Sequence, residues 1–290
     1  MLGVLLIDKP SGITSHDVVN QIRRRFGTRR VGHSGTLDPL GTGLLVLAVG
    51  PATRFLQYLP LEPKEYDLVA AFGVESTTQD AEGELSDPKP VPVDLRARVE
   101  EAIPSFLGLL SQVPPMYSAV KVAGKPLYQY ARKGEERERE ARSVFVETIE
   151  LLEVHEDSAR MRVVCSGGTY MRTLAHDLGR AIGCGAYLSS LVRTRSGKFT
   201  LEDAAALDEA LPEDLIPLEE ALPPMPILDL NAVETAAARH GQRIGRQRPP
   251  AARLVALREP DFGVFGVARV DGNQLQPECV LPIEATHDPV

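Results

Sequence analysis

Residues 31–49, VGHSGTLDPLGTGLLVLAV, constrain the fold of this chain more than any other stretch. The second half, Gly43 to Val49, is an unbroken apolar run between glycines and reads as a buried strand. Only a chain that wraps a core around such a strand can hold it, and 290 residues are enough without disulfide or metal staples. Strands and helices alternate around it with no fixed repeat. Gly3 to Ile7 reads as a strand closed by Asp8, Lys9, Pro10 and Gly12. Thr14 or Ser15 can cap a helix from Asp17 to Phe26, whose apolar Val18, Val19, Ile22 and Phe26 recur at helical spacing before Gly27 stops it. Tyr66–Phe72 and Arg160–Cys165 read as strands, and Tyr117–Val122 as an extended segment. Leu95–Phe106 reads as a helix interrupted by Pro104, and Leu127–Lys133 as a short helix with Pro126 in its first turn. Met171–Ile182 predicts an amphipathic helix ended by Gly183. Thr77–Pro92, rich in acids and prolines, reads as a loop. The acidic stretch from Leu201 to Pro226 reads as a helix and a linker. Beyond it, Val264–Val270, an Asp-Gly-Asn turn and Leu275–Leu281 predict a hairpin, with Pro277 placing its second strand at an edge or bulge. The pattern is α+β, with a large domain over 1–225 and a small all-β domain over 226–290.

Composition removes several classes. At 43% hydrophobic and 25% charged residues the chain is not disordered. No window approaches the roughly 20 apolar residues of a membrane span, and MLGVLLIDKP lacks the basic start and cleavage site of a signal peptide. Cys165, Cys184 and Cys279 are odd in number and far apart, which argues against a disulfide framework or a cysteine metal site. A soluble protein of a reducing, cytoplasmic compartment is expected. The net charge of −8 alone speaks against a nucleic-acid partner, but it is unevenly spread. Residues 1–60 carry +4 and 111–200 carry +4, whereas 61–110 carry −7, 201–230 carry −9 and 231–290 are neutral. Two segments are therefore locally basic. One is the cluster Arg23, Arg24, Arg25, Arg29 and Arg30, which suits either phosphate contact or compensation of a helix C-terminus.

Familiar catalytic motifs fail. GHSGT (32–36) ends in threonine where a nucleophile elbow needs glycine. GTGLLV (41–46) lacks the third glycine of a dinucleotide loop, and no phosphate-binding G-x-x-x-x-G-K-[ST] exists. The six histidines show no metal-binding spacing, so no metal is expected. What remains is the glycine-rich loop of residues 31–45, with one acid, Asp38, held at the mouth of the strand by Pro39. The residues alone leave two readings: a carboxylate presented to a flat ligand, or an Asx-type turn bonded to nearby amides.

VGHSGTLDPLGTGLL closely resembles the catalytic motif of the TruB family of tRNA pseudouridine synthases. Further segments resemble family motifs in the expected order. They are IDKPSGITSHDVV (7–19), KEYDLVAAFG (64–73), QVPPMYSAVKVAGKPLYQYARKGEE (112–136), CSGGTYMRTLAHDLG (165–179) and LSSLVRTRSGKF (188–199). The stretch GVARVDGNQLQPECVL (266–281) resembles a PUA-like RNA-binding domain. The resemblance implies a pseudouridine-synthase catalytic domain with a mixed, largely antiparallel central sheet flanked by helices. An RNA-gripping insertion at about 121–142 and a C-terminal PUA-like domain complete it.

The activity implied is isomerisation of the uridine at position 55, flipped out of the tRNA T loop, to pseudouridine. It uses no cofactor, no metal and no membrane, and a monomer is expected. Asp38 matches the family nucleophile, Arg172 the arginine that pairs with it, and Tyr66 the active-site tyrosine, which can stack on the base and take its C5 proton. His33 matches a histidine that holds or evicts the flipped base, and Tyr170 and Leu191 match pocket positions. Lys9 matches a basic residue that supports the site or contacts a phosphate. Lys121, Lys125, Arg132, Lys133, Arg137 and Arg139 supply cationic surface in the insertion, while EERERE (135–140) is expected to be a solvated tip of mixed sign. Two alternatives share the motif. One is the catalytic subunit of a guide-RNA-dependent rRNA pseudouridine synthase, which lacks the insertion and has a larger, more basic C-terminal part. The other is an RNA-binding or tRNA-chaperone protein of the same fold.

Overall fold

The computed structural model describes residues 1–118, 120–122, 124–131 and 133–282. The strands of the large sheet are β1 (Gly3–Lys9), β2 (Val31–Ser34), β3 (Thr42–Val49), β4 (Lys64–Phe72) and β5 (Gly108–Gln112). Two short strands, β6 (Lys121–Val122) and β7 (Lys125–Pro126), form a separate ribbon. The large sheet resumes with β8 (Arg142–Val154), β9 (Ser158–Cys165), β10 (Ala186–Ser196), β11 (Phe199–Thr200) and β12 (Ala205–Ala206). A second sheet holds β13 (Ile227–Asp229), β14 (Ile244–Gly245), β15 (Leu254–Glu259), β16 (Gly263–Asp271) and β17 (Gln274–Val280). The helices are α1 (Ser15–Arg25), α2 (Leu95–Ala102), α3 (Leu127–Ala131), α4 (Met171–Ile182), α5 (Leu218–Ala221) and α6 (Ala232–Arg239).

The large sheet has ten strands, running β12-β1-β3-β10-β4-β9-β8-β5, with β2 beside β3 and β11 beside β10. Only β1–β12 and β3–β10 are parallel, so the sheet is mixed and largely antiparallel, as expected. The apolar run in β3 has a plain cause. Leu45, Leu47 and Val49 pack in one core with Val18, Val19 and Ile22 of α1, while Leu44, Val46 and Ala48 join a second core with Ala52, Phe55 and Leu218 that extends to Leu257, Phe265 and Val267 of the second sheet. Both faces are covered, so alternation with polar residues is not permitted. At β4 only one face is covered: Tyr66, Leu68, Ala70 and Phe72 point to α2 and α4 and alternate with half-buried residues.

Helix α1 starts where a capping box forms, with Thr14 and Asp17 bonding each other's backbone amides. Helix α4 ends at Gly183, which takes φ +96° and donates back to Gly179 and Arg180. The hairpin of β16 and β17 is present, and Pro277 faces Ala268 beside a register irregularity, where its missing N–H is harmless. One expectation fails. The stretch from 201 to 226 is neither a long helix nor a free linker, because Pro212 and Pro217 break it into short turns and α5. β12 instead extends the sheet beside β1, Ile216 bridges Val4, and Leu218, Ala221 and Leu222 are buried against the second sheet. Among the described residues the extended reading of Tyr117–Val122 also shrinks, to β6, and Pro126 belongs to β7 rather than to the helix.

Candidate active site

A cleft of about 800 Å³ opens between the loop before β3, the face of β4, and the start of α4. Asp38, Tyr66, Tyr170, Arg172 and Leu191 all line it, brought together from four separate sequence motifs. That volume falls within the range of ordinary ligand sites.

The loop carrying Asp38 is pinned from beneath. The Ser15 hydroxyl accepts the Leu37 N–H at 2.8 Å and donates to the Leu37 carbonyl at 2.9 Å. Gly41 N–H donates to the Asp38 carbonyl at 3.0 Å. Lys9 is fully buried, and its Nζ donates to the carbonyls of Pro10, Ile13 and Pro39 at 2.9, 2.7 and 3.3 Å. Burial lowers its pKa to about 8. With no surface exposed, Lys9 props the loop and has nothing to offer a phosphate.

The Asp38 carboxylate accepts no backbone amide among the described residues, so the Asx-turn reading fails. Its partner is Arg172, with Nε 2.9 Å from Oδ2, although the Nε hydrogen is not aimed along that line and charge attraction dominates the contact. Burial pushes the Asp38 pKa upward, Arg172 pulls it down, and the nearby Asp80 charge adds to the rise. Protein atoms crowd this carboxyl, yet 37% of its side-chain surface faces the open cleft, where water screens it and weakens the effect of burial.

Arg172 is 4% exposed and spans several partners. It donates to the carbonyls of Thr78 at 3.2 Å and Tyr117 at 2.7 Å, and its Nη1 lies 3.4 Å from Asp80 Oδ2. Asp80 is itself buried, accepting the Glu82 N–H and the Thr78 hydroxyl. The guanidinium is thus shared by two carboxylates. Asp80 was invisible in the sequence, where it sits in an acidic, proline-rich stretch that reads as a solvent loop. The loop is in fact docked, with Leu188 N–H donating to Gln79 and Thr173 bonding the Gln79 side chain.

Tyr66 is 9% exposed; burial raises its phenol pKa, and Arg193 opposes the rise. Tyr170 immediately precedes α4, and Gln112 fixes it by bonding both its N–H and its carbonyl, at 2.8 and 3.0 Å. Leu191 is 7% exposed on β10. His33 lies on β2 beside the cavity rather than in its wall. Burial, Arg193 and His16 lower its pKa, so the ring is neutral at pH 7. Lys64 and Arg193, two further wall residues, are buried cations that no motif argument singled out.

The basic segments behave unequally. Arg23 donates to the Val31 carbonyl and is spent on the fold. Arg24, Arg25, Arg29 and Arg30 are exposed without ion pairs among the described residues. In the insertion, Lys121, Lys125 and Lys133 are likewise exposed and unpaired among those residues, while Arg132 lies outside them. Arg137 pairs with Glu135 at 2.7 Å and lies over the Tyr130 ring, and Arg139 reaches the Pro114 carbonyl. Apart from half-buried Arg139, the 135–140 run is exposed, in keeping with a solvated tip of mixed sign.

A mixed sheet thus carries an aspartate–arginine pair and a buried tyrosine in the wall of one cleft. Residues 23–171 match the family described as TruB family pseudouridylate synthase, N-terminal domain, and residues 172–223 match the tRNA pseudouridylate synthase B C-terminal domain. The chain belongs to the TruB family. It is 43% identical over 292 residues to tRNA pseudouridine synthase B of Burkholderia mallei (strain NCTC 10247), covering 96% of both chains. It is 42% identical to the protein of that name in Stutzerimonas stutzeri (strain A1501), covering 97% of this chain and 96% of the relative. Among solved structures it resembles a chain of a Cbf5–Nop10–Gar1 complex, with TM-score 0.68 and 28% identity over 97% of this chain and 85% of that one. A chain of an archaeal box H/ACA Nop10–Cbf5 complex matches with TM-score 0.68 and 25% identity over 97% of this chain and 86% of that one.

Proposed function

We propose that this enzyme converts the uridine at position 55 in the T loop of tRNA to pseudouridine, with Asp38 as nucleophile. The observation that carries the reading is the Asp38 carboxylate: it opens onto the cleft, is charge-paired with buried Arg172, and is free of backbone hydrogen bonds among the described residues. The flipped uridine enters the cleft, with Leu191 and Tyr170 packing around the base. Asp38 adds to the base or sugar as the N1–C1′ bond breaks. The detached uracil turns and forms a C5–C1′ bond, the C5 proton passes to the Tyr66 hydroxyl as that hydroxyl gives up its own, N1 gains a proton in exchange, and Asp38 departs unchanged. Substrate and product are isomers, so the step consumes no oxidant, reductant or water. Exposed Arg24, Arg25, Arg29 and Arg30, with Lys121, Lys125 and Lys133, hold the phosphates of the T-arm stem-loop. Residues 1–225 act as the catalytic domain and 226–290 as a PUA-like RNA-binding domain.

Identity of 42–43% to relatives named tRNA pseudouridine synthase B, against 25–28% to chains of Cbf5 complexes, favours a tRNA substrate over a guide-RNA-directed one. The test is to incubate the pure protein with unmodified tRNA transcript, without guide RNA, and to map pseudouridine by chemical adduct formation. Modification at position 55 is expected, with Asp38→Asn inactive yet still binding tRNA. Modification elsewhere, none at all, or turnover by Asp38→Asn comparable to wild type would sink the reading.

A further inference from the structure

Arg193 is 1% exposed, sits in the middle of the sheet, and has no carboxylate within ion-pair distance among the described residues. Burying a guanidinium without an acid is unfavourable, and a neutral side chain would fill the space at less cost. Its bonds show what the charge is used for. Nε donates to the Leu44 carbonyl at 2.7 Å and Nη2 to the Gly35 carbonyl at 3.1 Å. Gly35 and Leu44 bracket the loop that carries Asp38, so one rigid fork ties down both ends of it.

The same residue stands opposite Tyr66 across the β4–β10 pair, and its charge opposes the rise that burial imposes on the phenol. Close approach is built into the backbone on both sides. At Gly35, with φ +76°, a Cβ would lie 3.3 Å from Arg193 Nη1 and 3.6 Å from Lys64 Nζ. At Gly43, with φ +88°, a Cβ would lie 2.5 Å from the Arg193 carbonyl oxygen. Only glycine admits the fork at the first position and the β3–β10 pairing at the second.

We propose that Arg193 is a positioning residue that holds Asp38 and Tyr66 in working register by clamping both ends of the Asp38 loop from its place opposite Tyr66 across the β4–β10 pair. The proposal rests on Asp38 and Tyr66 being the reacting groups. Misplacing a reacting group by about 1 Å can cost about a hundredfold in rate without touching ground-state binding.

The experiment compares Arg193→Lys and Arg193→Met with wild type in single-turnover reactions at saturating tRNA, alongside tRNA binding and thermal melting. Arg162→Met is the structural control, since Arg162 bonds Asp67 on the other face of the sheet. Arg193→Met should lose about a hundredfold in rate and Arg193→Lys about tenfold, with tRNA affinity held within about threefold. The lysine keeps the charge but reaches only one carbonyl, so partial recovery over methionine is expected. Arg162→Met should lower the melting temperature and leave the rate alone. If Arg193→Met does not fold, Arg193→Lys decides: a rate within about threefold of wild type overturns the proposal, and a larger fall at unchanged affinity supports it. A loss confined to tRNA affinity, or matched by Arg162→Met, also overturns it. Wild-type activity with an inactive Asp38→Asn variant, measured in the same assay, keeps a failure here distinct from a failure of the proposed function.

Discussion

Replacing Lys9 by methionine separates what a buried charge costs from what its bonds contribute. Burial lowers the Lys9 pKa to about 8 in the folded chain, against about 10.4 in the unfolded one. Between those values the unfolded chain binds more protons than the folded one, so stability rises with pH across that window. Below about pH 8 both states are charged and the full burial penalty applies; it is relieved as the pH climbs through the folded value. Integrating the difference from about pH 7 to pH 9 gives about 1 kcal/mol of added stability from this one group. Lys9→Met deletes that rise. It also strands the Pro10, Ile13 and Pro39 carbonyls, each at about 1 kcal/mol. Relief of the buried charge offsets much of this at neutral pH. Urea unfolding of both proteins at the two pH values gives the number. Lys64, also lowered to about 8, and the thiols of Cys165 and Cys279, raised to about 11, are common to both proteins and cancel in the comparison. If wild type and Lys9→Met gain stability equally on alkalinisation, Lys9 is not a charged, buried strut and the reasoning is refuted.

Asp80→Asn should lower turnover about tenfold to a hundredfold at saturating tRNA, because Arg172 then has Asp38 as its one carboxylate partner and shifts toward it. Since the Asp80 charge raises the Asp38 pKa, the acid limb of the pH–rate profile should move to lower pH; a limb that stays or moves up counts against the shared guanidinium. Neutralising Lys121, Lys125 and Lys133 together should weaken tRNA binding and flatten its salt dependence, by up to about one unit of log–log slope for each phosphate let go. The saturating rate should hold, and an unchanged salt slope would remove the insertion from the phosphate grip.

The parts of the fold legible in the sequence are those set by near neighbours. The Gly43–Val49 run, the Met171–Ile182 periodicity with Gly183 behind it, and the hairpin around Asp271–Asn273 each carry their geometry in local spacing and backbone preference. The Leu201–Pro226 stretch departs from its local pattern for the complementary reason. Its composition favours helix, but the exposed edge of β1 and the apolar floor of the second sheet attract Ala205, Ile216 and Leu218 more strongly. No local pattern encodes that edge.

At the site, the motif around Asp38 and the partners Tyr66 and Arg172 could be named from their resemblance to a family, because each sits in a distinctive short segment. Asp80 and Arg193 show the limit, as does the burial of Lys9, which the resemblance named without deciding between prop and phosphate contact. A carboxylate in an acidic loop, and cations among strand residues, look solvent-facing by type, since hydration of charge is the default in an open chain. Whether such a charge is buried depends on which carbonyls and counter-charges arrive from elsewhere in the chain. Thus the sequence alone determined those local elements and singled out Asp38 as the one acid of the glycine-rich loop. The tertiary structure decided which charges are stripped of water around it, and so set the Asp38 ionisation, the sharing of Arg172 and the clamp on the loop, because desolvation and Coulomb attraction are properties of packed neighbours rather than of residue order.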